Sequence, residues 1–322
     1  MKAVRIHERG DANVLQMEEI QTPVPQQGEV LIKVAAAGVN YGDIGQRSGN
    51  YPNALPLPLT PGYEVAGTIA SRGPGVNAPA EGTRVVSLVE GGYAEYALAK
   101  VKNVVSLPDN VSFAQATVVP VQGQTAYLAL TRGAHFSQGE TVLVHVAAGG
   151  VGSLAVQVAK ILGAGTVIGT TTSDSKLALI RELGADVAIN TKAGNWIEQV
   201  MQATRGQGVD IVLDPIGGTI GQQSIACLGL FGRLISYGSL TGEVAPFVAQ
   251  MLIQRCLSVT GYNTNVQPLE EQLHASRALL DFISEGRLRV VLDHTFPLAE
   301  ARAAHQALES GQTTGKVVLT VE

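Results

Sequence analysis

Residues 141–176, TVLVHVAAGGVGSLAVQVAKILGAGTVIGTTTSDSK, decide the fold of this chain. Residues 141–146 form a nearly unbroken apolar run rich in β-branched side chains, the pattern of a parallel strand covered on both faces. Gly149, Gly150 and Gly152 follow at once. Val151, Leu154, Ala155, Val158, Ile161 and Leu162 then recur at helical spacing. Gly163 and Gly165 end the helix, and residues 166–171 are β-branched again. The stretch reads as strand, glycine turn, helix, strand: a βαβ unit.

That order has a chemical meaning. A pyrophosphate is held by the unpaired N–H groups of a helix N-terminus, where the helix dipole also favours negative charge. A Cβ at the turn would keep the phosphate away, so glycine is required there. The usual fingerprint is G-x-G-x-x-G. Here residues 147–152 read A-A-G-G-V-G, with Ala147 at the first glycine position. Ala148, Gly149, Gly150, Val151 and Gly152 are therefore the expected dinucleotide-binding turn.

The rest of the composition narrows the class. A length of 322 residues suits two domains, and 45% hydrophobic residues supply a sizeable core. A net charge of −5 and a pI near 5.7 leave no basic footprint for nucleic acid. The first ten residues, MKAVRIHERG, carry charges throughout and do not read as a signal peptide. The longest apolar stretch is the glycine-broken segment above, which reads as buried core and not as a membrane span. Cys227 and Cys256 make no disulfide framework, so a cytoplasmic enzyme with reduced thiols is expected.

Upstream, residues 1–118 read as a mainly β domain with little helix. Residues 29–36 alternate, with Val30, Ile32, Val34 and Ala36 facing one way and Leu31, Lys33 and Ala35 the other. Residues 51–61 carry four prolines and read as loop. Strands are expected at 63–70, 83–89 and 93–99, and Ser112 with Gln115 has the form of a helix start. From about residue 119, strands and helices alternate. Helices are expected at 175–183, 195–204 and 222–228, and strands at 186–190, 209–213, 233–237 and 258–261. Right-handed crossovers make this a doubly wound parallel sheet. A helix at 270–284, a strand at 288–292, a helix at 298–310 and a strand at 316–321 complete the chain.

Taken together, GVNYGD (38–43), RSGNY (47–51), PGYEVAG (61–67), GQTAY (123–127), HVAAGGVG (145–152) and GKVVL (315–319) resemble the zinc-independent medium-chain dehydrogenases/reductases. Within them the likeness is to the zeta-crystallin-like NADPH:quinone reductases, and it runs over essentially the whole chain. The resemblance implies an α/β protein: a GroES-like domain, residues 1–118 completed by 262–322, and a Rossmann domain, residues 119–261. It also implies a homodimer.

The residues bear on metal and cofactor separately. Zinc needs tetrahedral nitrogen or sulfur ligands. The position of a ligand cysteine in zinc relatives is Val39 or Asn40 here, and that of the ligand histidine is Tyr63, so no metal is expected. Glu64 reads as a structural hydrogen-bond partner. An NAD enzyme carries an acid about twenty residues past the glycines. Thr171 stands there instead, with Asp174 as an expected helix cap, while Ser173 and Lys176 suit a 2′-phosphate. The cofactor is therefore NADPH. Asn190 begins the run Asn190–Thr191–Lys192 where relatives often have a tyrosine.

The resemblance implies further roles, and the remaining polar residues are read from their own positions. It places Asn40 by the nicotinamide ribose, Tyr51 beside the nicotinamide, and Thr125 in hydrogen bonding at the nicotinamide side, with Asp43 structural. Gly217, Gly238, Ser239 and Leu240 line the switch-point crevice, and Lys316 reaches back to the cofactor. Gly45 stands where relatives have a second tyrosine, which widens the pocket or removes a substrate contact. Arg47 and Tyr41 are divided between loop anchoring and substrate contact. His145 reads as a core histidine bonded to backbone, and His135, His274, His294 and His305 show no triad or ligand spacing. Cys227 reads as packing. The implied reaction is hydride delivery from NADPH to a quinone. Reduction of an α,β-unsaturated ketone, aldehyde or enoyl thioester is the alternative, and an RNA-binding role is the rival from another class.

Overall fold

The computed structural model describes residues 1–51, 54–243 and 245–322, so Pro52 and Asn53 of the proline-rich loop lie outside the described residues. The chain forms two compact units. One comprises Met1–Val121, Ser276–Glu285 and Val290–Glu322, and the other Gln122–Ala275 and Gly286–Arg289. Residues 262–275, read from sequence as part of the returning segment, group with the second unit.

In the second unit six parallel strands lie in the order Val187–Asn190, Thr166–Thr171, Thr141–Val144, Val209–Asp214, Leu228–Ser236, Ser258–Gly261. Numbered along the chain this is 3-2-1-4-5-6, the doubly wound order. Val142, Leu143, Val144, Ile211, Val212 and Leu213 are wholly buried, which is what an apolar strand covered on both faces requires. Strand order reverses between Thr141–Val144 and Val209–Asp214, and ligands of such sheets bind outside the carboxyl ends of the strands there. Two elements differ from the sequence reading. The helix expected from 222 starts at Gly218, because Gly217 and Gly218 take positive φ and turn the chain early. The strand expected from 233 begins at Leu228, with an irregular register that exposes Leu230 and Phe231.

The first unit has a mixed sheet in the order Leu292–Pro297, Lys316–Thr320, Glu29–Val39, Glu64–Arg72, Arg84–Leu88, Val105–Ser106, with Tyr96–Lys100 also paired to Glu29–Val39. Only the first of these pairs is parallel. Val30, Ile32 and Val34 join Val65, Ile69, Val85 and Val317 in its core. Ser112 caps the helix Phe113–Ala116 by accepting from the Gln115 N–H, as the sequence pattern implies.

The strand expected at 288–292 begins only at Leu292. Ahead of it, in the second unit, Arg289 pairs with a side chain: Gln157 Nε2 donates to its carbonyl at 2.9 Å, and its N–H donates to Gln157 Oε1 at 2.8 Å. The helix Tyr41–Ser48 was absent from the sequence reading. Its buried residues are Asp43, Gln46 and Arg47, so no apolar stripe announces it. Among the described residues no helix is long and apolar enough to cross a membrane.

Candidate active-site elements

The glycine turn is built for close approach. The helix Gly150–Ile161 starts from Gly149 with no side-chain cap and no acid in its first turn, which leaves its N–H end suited to an anion. A Cβ at Gly152 would lie 2.1 Å from the Val146 carbonyl oxygen, so this glycine lets the helix pack on the strand. A Cβ at Gly150 would lie 2.4 Å from the Gln122 amide. Val146 turns the chain with φ 53, a costly conformation for a β-branched residue and one met at functional turns. Ala147 and Ala148 are buried beneath it.

His145 lies under the turn, wholly buried. It is bonded to two hydroxyls and not to backbone, Thr170 Oγ1 and Ser224 Oγ at 2.8 Å each. Burial lowers its pKa to about 4, so it is a neutral core histidine, edge-on to Trp196.

Beyond the second strand, Thr171 is buried and its Oγ1 accepts from the Ser173 N–H. Ser173 Oγ meets Ser175 Oγ at 2.8 Å. Asp174 does not cap: Ser173 holds the cap position, and Asp174 Oδ1 accepts instead from Asn190 Nδ2 at 2.8 Å. Asn190 Oδ1 in turn accepts from the Lys192 N–H. Lys176 stands half-buried where the turn Asp174–Lys176 passes into the helix Leu177–Glu182. Hydroxyls, an amide and two lysines thus collect at the carboxyl ends of adjacent strands.

At the far side of the switch point, the buried Asp214 folds back onto its own turn, accepting from the Ile216 N–H at 2.8 Å and the Gly217 N–H at 3.3 Å. Burial raises its pKa. The segment after the fifth strand lies on this turn, with the Leu240 N–H donating to the Pro215 carbonyl and Gly238 packed on Pro215. Ser239 and Leu240 are exposed there. Thr125, half-buried on the helix Gln124–Leu128, pairs hydroxyls with Thr264 at 3.1 Å. The residues preceding that helix form a π-helical turn, a feature common near functional sites.

The first unit contributes a buried polar cluster. Lys316 Nζ donates to Glu64 Oε1 at 2.5 Å and to Asn40 Oδ1 at 2.9 Å, and both ends of the ion pair are fully buried. Asn40 Nδ2 donates to the same Glu64 oxygen at 2.8 Å, while Glu64 Oε2 accepts from the Val121 N–H at 2.9 Å. The Asn40 amide is therefore oriented by a cation on its oxygen and an anion on its nitrogen. Gly38 makes room: a Cβ there would lie 2.2 Å from Glu64 Oε1. Lys316, expected to reach the cofactor, is instead spent on Glu64 and Asn40. Glu64 is the structural partner the sequence suggested.

Tyr51 and Tyr63 pack with ring centroids 6.3 Å apart. Tyr51 lies on Gly45, where a Cβ would sit 3.1 Å from its ring, and Tyr63 lies on Gly42. The absence of a side chain at Gly45 does not simply widen the pocket, because Tyr51 fills that space. Arg47 and Tyr41 are anchors. Arg47 is 2% exposed and forks onto Glu309, and the Tyr41 hydroxyl donates to the Leu308 carbonyl. His305, set aside for lack of spacing, takes part in this cluster through Arg47 and Tyr93. Tyr93 carried no sequence signal at all.

A family model described as the alcohol dehydrogenase GroES-like domain matches residues 26–109, and one described as zinc-binding dehydrogenase matches residues 150–285. A human quinone oxidoreductase is 34% identical over 99% of this chain and 97% of its own length. A 2-haloacrylate reductase from a Burkholderia species is 32% identical over 98% of each. Escherichia coli quinone oxidoreductase, solved in complex with NADPH, superposes with a TM-score of 0.93 at 32% identity, over 99% of this chain and all of the other.

Proposed function

The chain belongs to the medium-chain dehydrogenase/reductase family, on its quinone oxidoreductase branch, and from that premise we propose that it is an NADPH-dependent reductase of quinones. The observation that carries the cofactor is the uncapped, acid-free N-terminal turn of the helix Gly150–Ile161, set at the switch point of a doubly wound sheet. NADPH supplies a hydride when bound. The chain's own work is to hold and orient.

The N–H groups of Gly150, Val151 and Gly152 receive the pyrophosphate; Gly149, whose own N–H donates to the Val146 carbonyl, and Ala148 shape the turn beneath them. Thr171, Ser173, Lys176 and Asn190 receive the 2′-phosphate. No carboxylate at position 171 demands a free ribose hydroxyl, and a lysine and hydroxyls suit a dianion. Gly217, Gly238, Ser239 and Leu240 border the crevice. Asn40 and Thr125 orient the nicotinamide end, with Lys316 acting through Asn40. Tyr51 positions the acceptor.

We further propose that the reaction uses no zinc. Val39, Asn40 and Tyr63 offer no soft ligand, and Glu64 is already engaged by Lys316 and Asn40. A quinone takes hydride without a Lewis acid, because its own oxygen accepts the electron pair and then draws a proton from water. The relatives' names put this reading ahead of enone reduction and of an RNA-binding role.

The strand Ser258–Gly261 is the sheet's edge, flanked by exposed Phe231 and Ile253, and supports a two-fold homodimer. Sedimentation showing only monomer at micromolar concentration contradicts that assembly. Two free cysteines suit the cytoplasm.

The test is NADPH oxidation by the purified chain against a panel of quinones and enones, with and without a chelator. Quinone rates are expected to lead and to survive chelation. No turnover with any quinone overturns the reading, and activity lost on chelation and restored by zinc overturns its metal-free part.

A further inference from the structure

Behind Asn40, the first unit holds a string of buried polar groups that the reaction as described does not use. Asp43 is fully buried, and its Oδ2 accepts the Asn40 N–H at 2.8 Å. Its Oδ1 is buried with no hydrogen bond of good geometry. Tyr93, also fully buried, faces Asp43, and its hydroxyl lies 3.1 Å from His305 Nε2. The other nitrogen of His305, Nδ1, lies 3.3 Å from Arg47 Nη1. Arg47 is fixed by its fork onto Glu309 and by donating to the Gly10 carbonyl at 3.2 Å. Gly62, at φ 103, leaves space for the Tyr93 ring: a Cβ would meet it at 2.6 Å.

The direction of every hydrogen in this string follows from its outer end. A guanidinium only donates. Nδ1 of His305 must therefore be the lone-pair nitrogen, which puts the ring's single hydrogen on Nε2. That hydrogen points at the Tyr93 oxygen, so the Tyr93 hydrogen is left for Asp43, whose Oδ1 lacks a donor. Neutral His305 agrees with burial beside Arg47, which lowers its pKa to about 3. The string cannot pass a proton outward, because Arg47 accepts none. It is a lock that presents a donor to Asp43.

We propose that Tyr93 is a positioning residue for this enzyme: oriented by Arg47 through His305, its hydroxyl favours the carboxylate form of Asp43 and fixes its orientation, and Asp43 holds Asn40 in place. The proposal rests on the assignment of Asn40 to the nicotinamide end, but its first test does not. Burial pushes Asp43 up to about 7, and the Asn40 N–H, Lys316 and Tyr93 oppose that rise while Glu64 adds to it. Tyr63 also faces Asp43, and Arg47 lies beside Tyr93. Tyr93 is the weakest of these influences but the one donor aimed at Oδ1, so its loss raises Asp43 further and leaves that oxygen without a partner.

Two measurements test this. Nitrogen NMR of the whole chain is expected to find His305 neutral, with hydrogen on Nε2, between pH 5 and 8. Hydrogen on Nδ1 overturns the lock whatever the protein's activity. In the Tyr93→Phe variant, which keeps the ring and loses only the hydroxyl, the acid limb of kcat/KM for NADPH is expected to move measurably to higher pH. At neutral pH the Michaelis constant for NADPH is expected to rise more than kcat falls. A limb that stays put in a folded Tyr93→Phe protein refutes the positioning role. An inactive wild type whose NMR shows the Nε2 hydrogen refutes the assigned function and leaves the lock standing.

Discussion

Replacing Lys316 with methionine tests whether the first unit is organised around its buried ion pair. Lys316 and Glu64 are both fully buried, 2.5 Å apart. Methionine keeps the length of the stem and removes the charge. Glu64 would then be a carboxylate in the core with only two donors, Asn40 Nδ2 and the Val121 N–H. Breaking a buried pair by removing one partner typically costs 3–5 kcal/mol, and the two remaining donors put this case near the lower end, about 3 kcal/mol. Adding Glu64→Gln to Lys316→Met removes the stranded charge, so the double variant is expected to recover more than half of that loss.

Urea unfolding followed by far-UV circular dichroism reads the loss. The only tryptophan, Trp196, lies in the second unit, so its fluorescence serves as the internal reference. A second readout is the Michaelis constant for NADPH, which should rise in Lys316→Met because Asn40 Oδ1 loses its hydrogen bond from Lys316. A loss below about 1 kcal/mol, or a double variant no more stable than the single, would refute the argument that this pair is a costly charge held only by its partner.

Three further outcomes are expected. Lys176→Ala should weaken NADPH about ten- to hundred-fold and leave NADH nearly unchanged, since a charge-assisted hydrogen bond contributes about 1.5–3 kcal/mol; equal losses in competitive binding would make the lysine structural. Tyr51→Phe should cost quinone reduction less than about tenfold in kcat without moving the pH profile, and a thousandfold drop with NADPH binding intact would show that a protein acid is required. His145, its folded pKa lowered to about 4 by burial, contributes stability that is complete above its unfolded value near 6.5 and is lost as pH falls. At pH 4.5 that loss is about 2–3 kcal/mol, and Trp196 fluorescence in urea should show it shrinking in His145→Gln; an unchanged pH slope in the variant would contradict it.

The second unit was legible in the sequence because its signals are local and apolar. The strand Thr166–Thr171, the strand Ser258–Gly261 and the glycine turn all announce themselves by β-branching, periodicity or missing side chains. The first unit hid its main device for the opposite reason. The helix Tyr41–Ser48 contains two glycines and buries Asp43, Gln46 and Arg47, so propensity and hydrophobic period both argue against it. It exists because Asp43, three residues on, holds the Asn40 N–H in a capping box and because Arg47 reaches Glu309, a contact that no local window contains. Asp174 was misread for a related reason: its acceptor oxygen is claimed by Asn190, sixteen residues away. Lys316 reads as a residue reaching the cofactor through the resemblance alone, and only the structure supplies Glu64 and Asn40, the partners that let a lysine be buried.

The motifs that pointed to the family largely encode support for the ligand-facing residues. GVNYGD, PGYEVAG and GKVVL lie far apart in the chain, yet they meet in one cluster of the first unit. Gly38 is a glycine because Glu64 and Lys316 pass beside it, and Gly62 because Tyr93 does. Glu64 and Lys316 never reach the surface, and Asp43 is sealed behind Asn40. Of the residues in these three motifs, Asn40 is the one assigned to the nicotinamide end, and its amide and its N–H are held by groups from all three segments. A side chain gripped at every polar atom pays its ordering entropy at folding and not when substrate arrives. The three segments therefore share one task, the orientation of a single asparagine. Substitutions behind it should register in cofactor binding before they register in the chemistry of the acceptor.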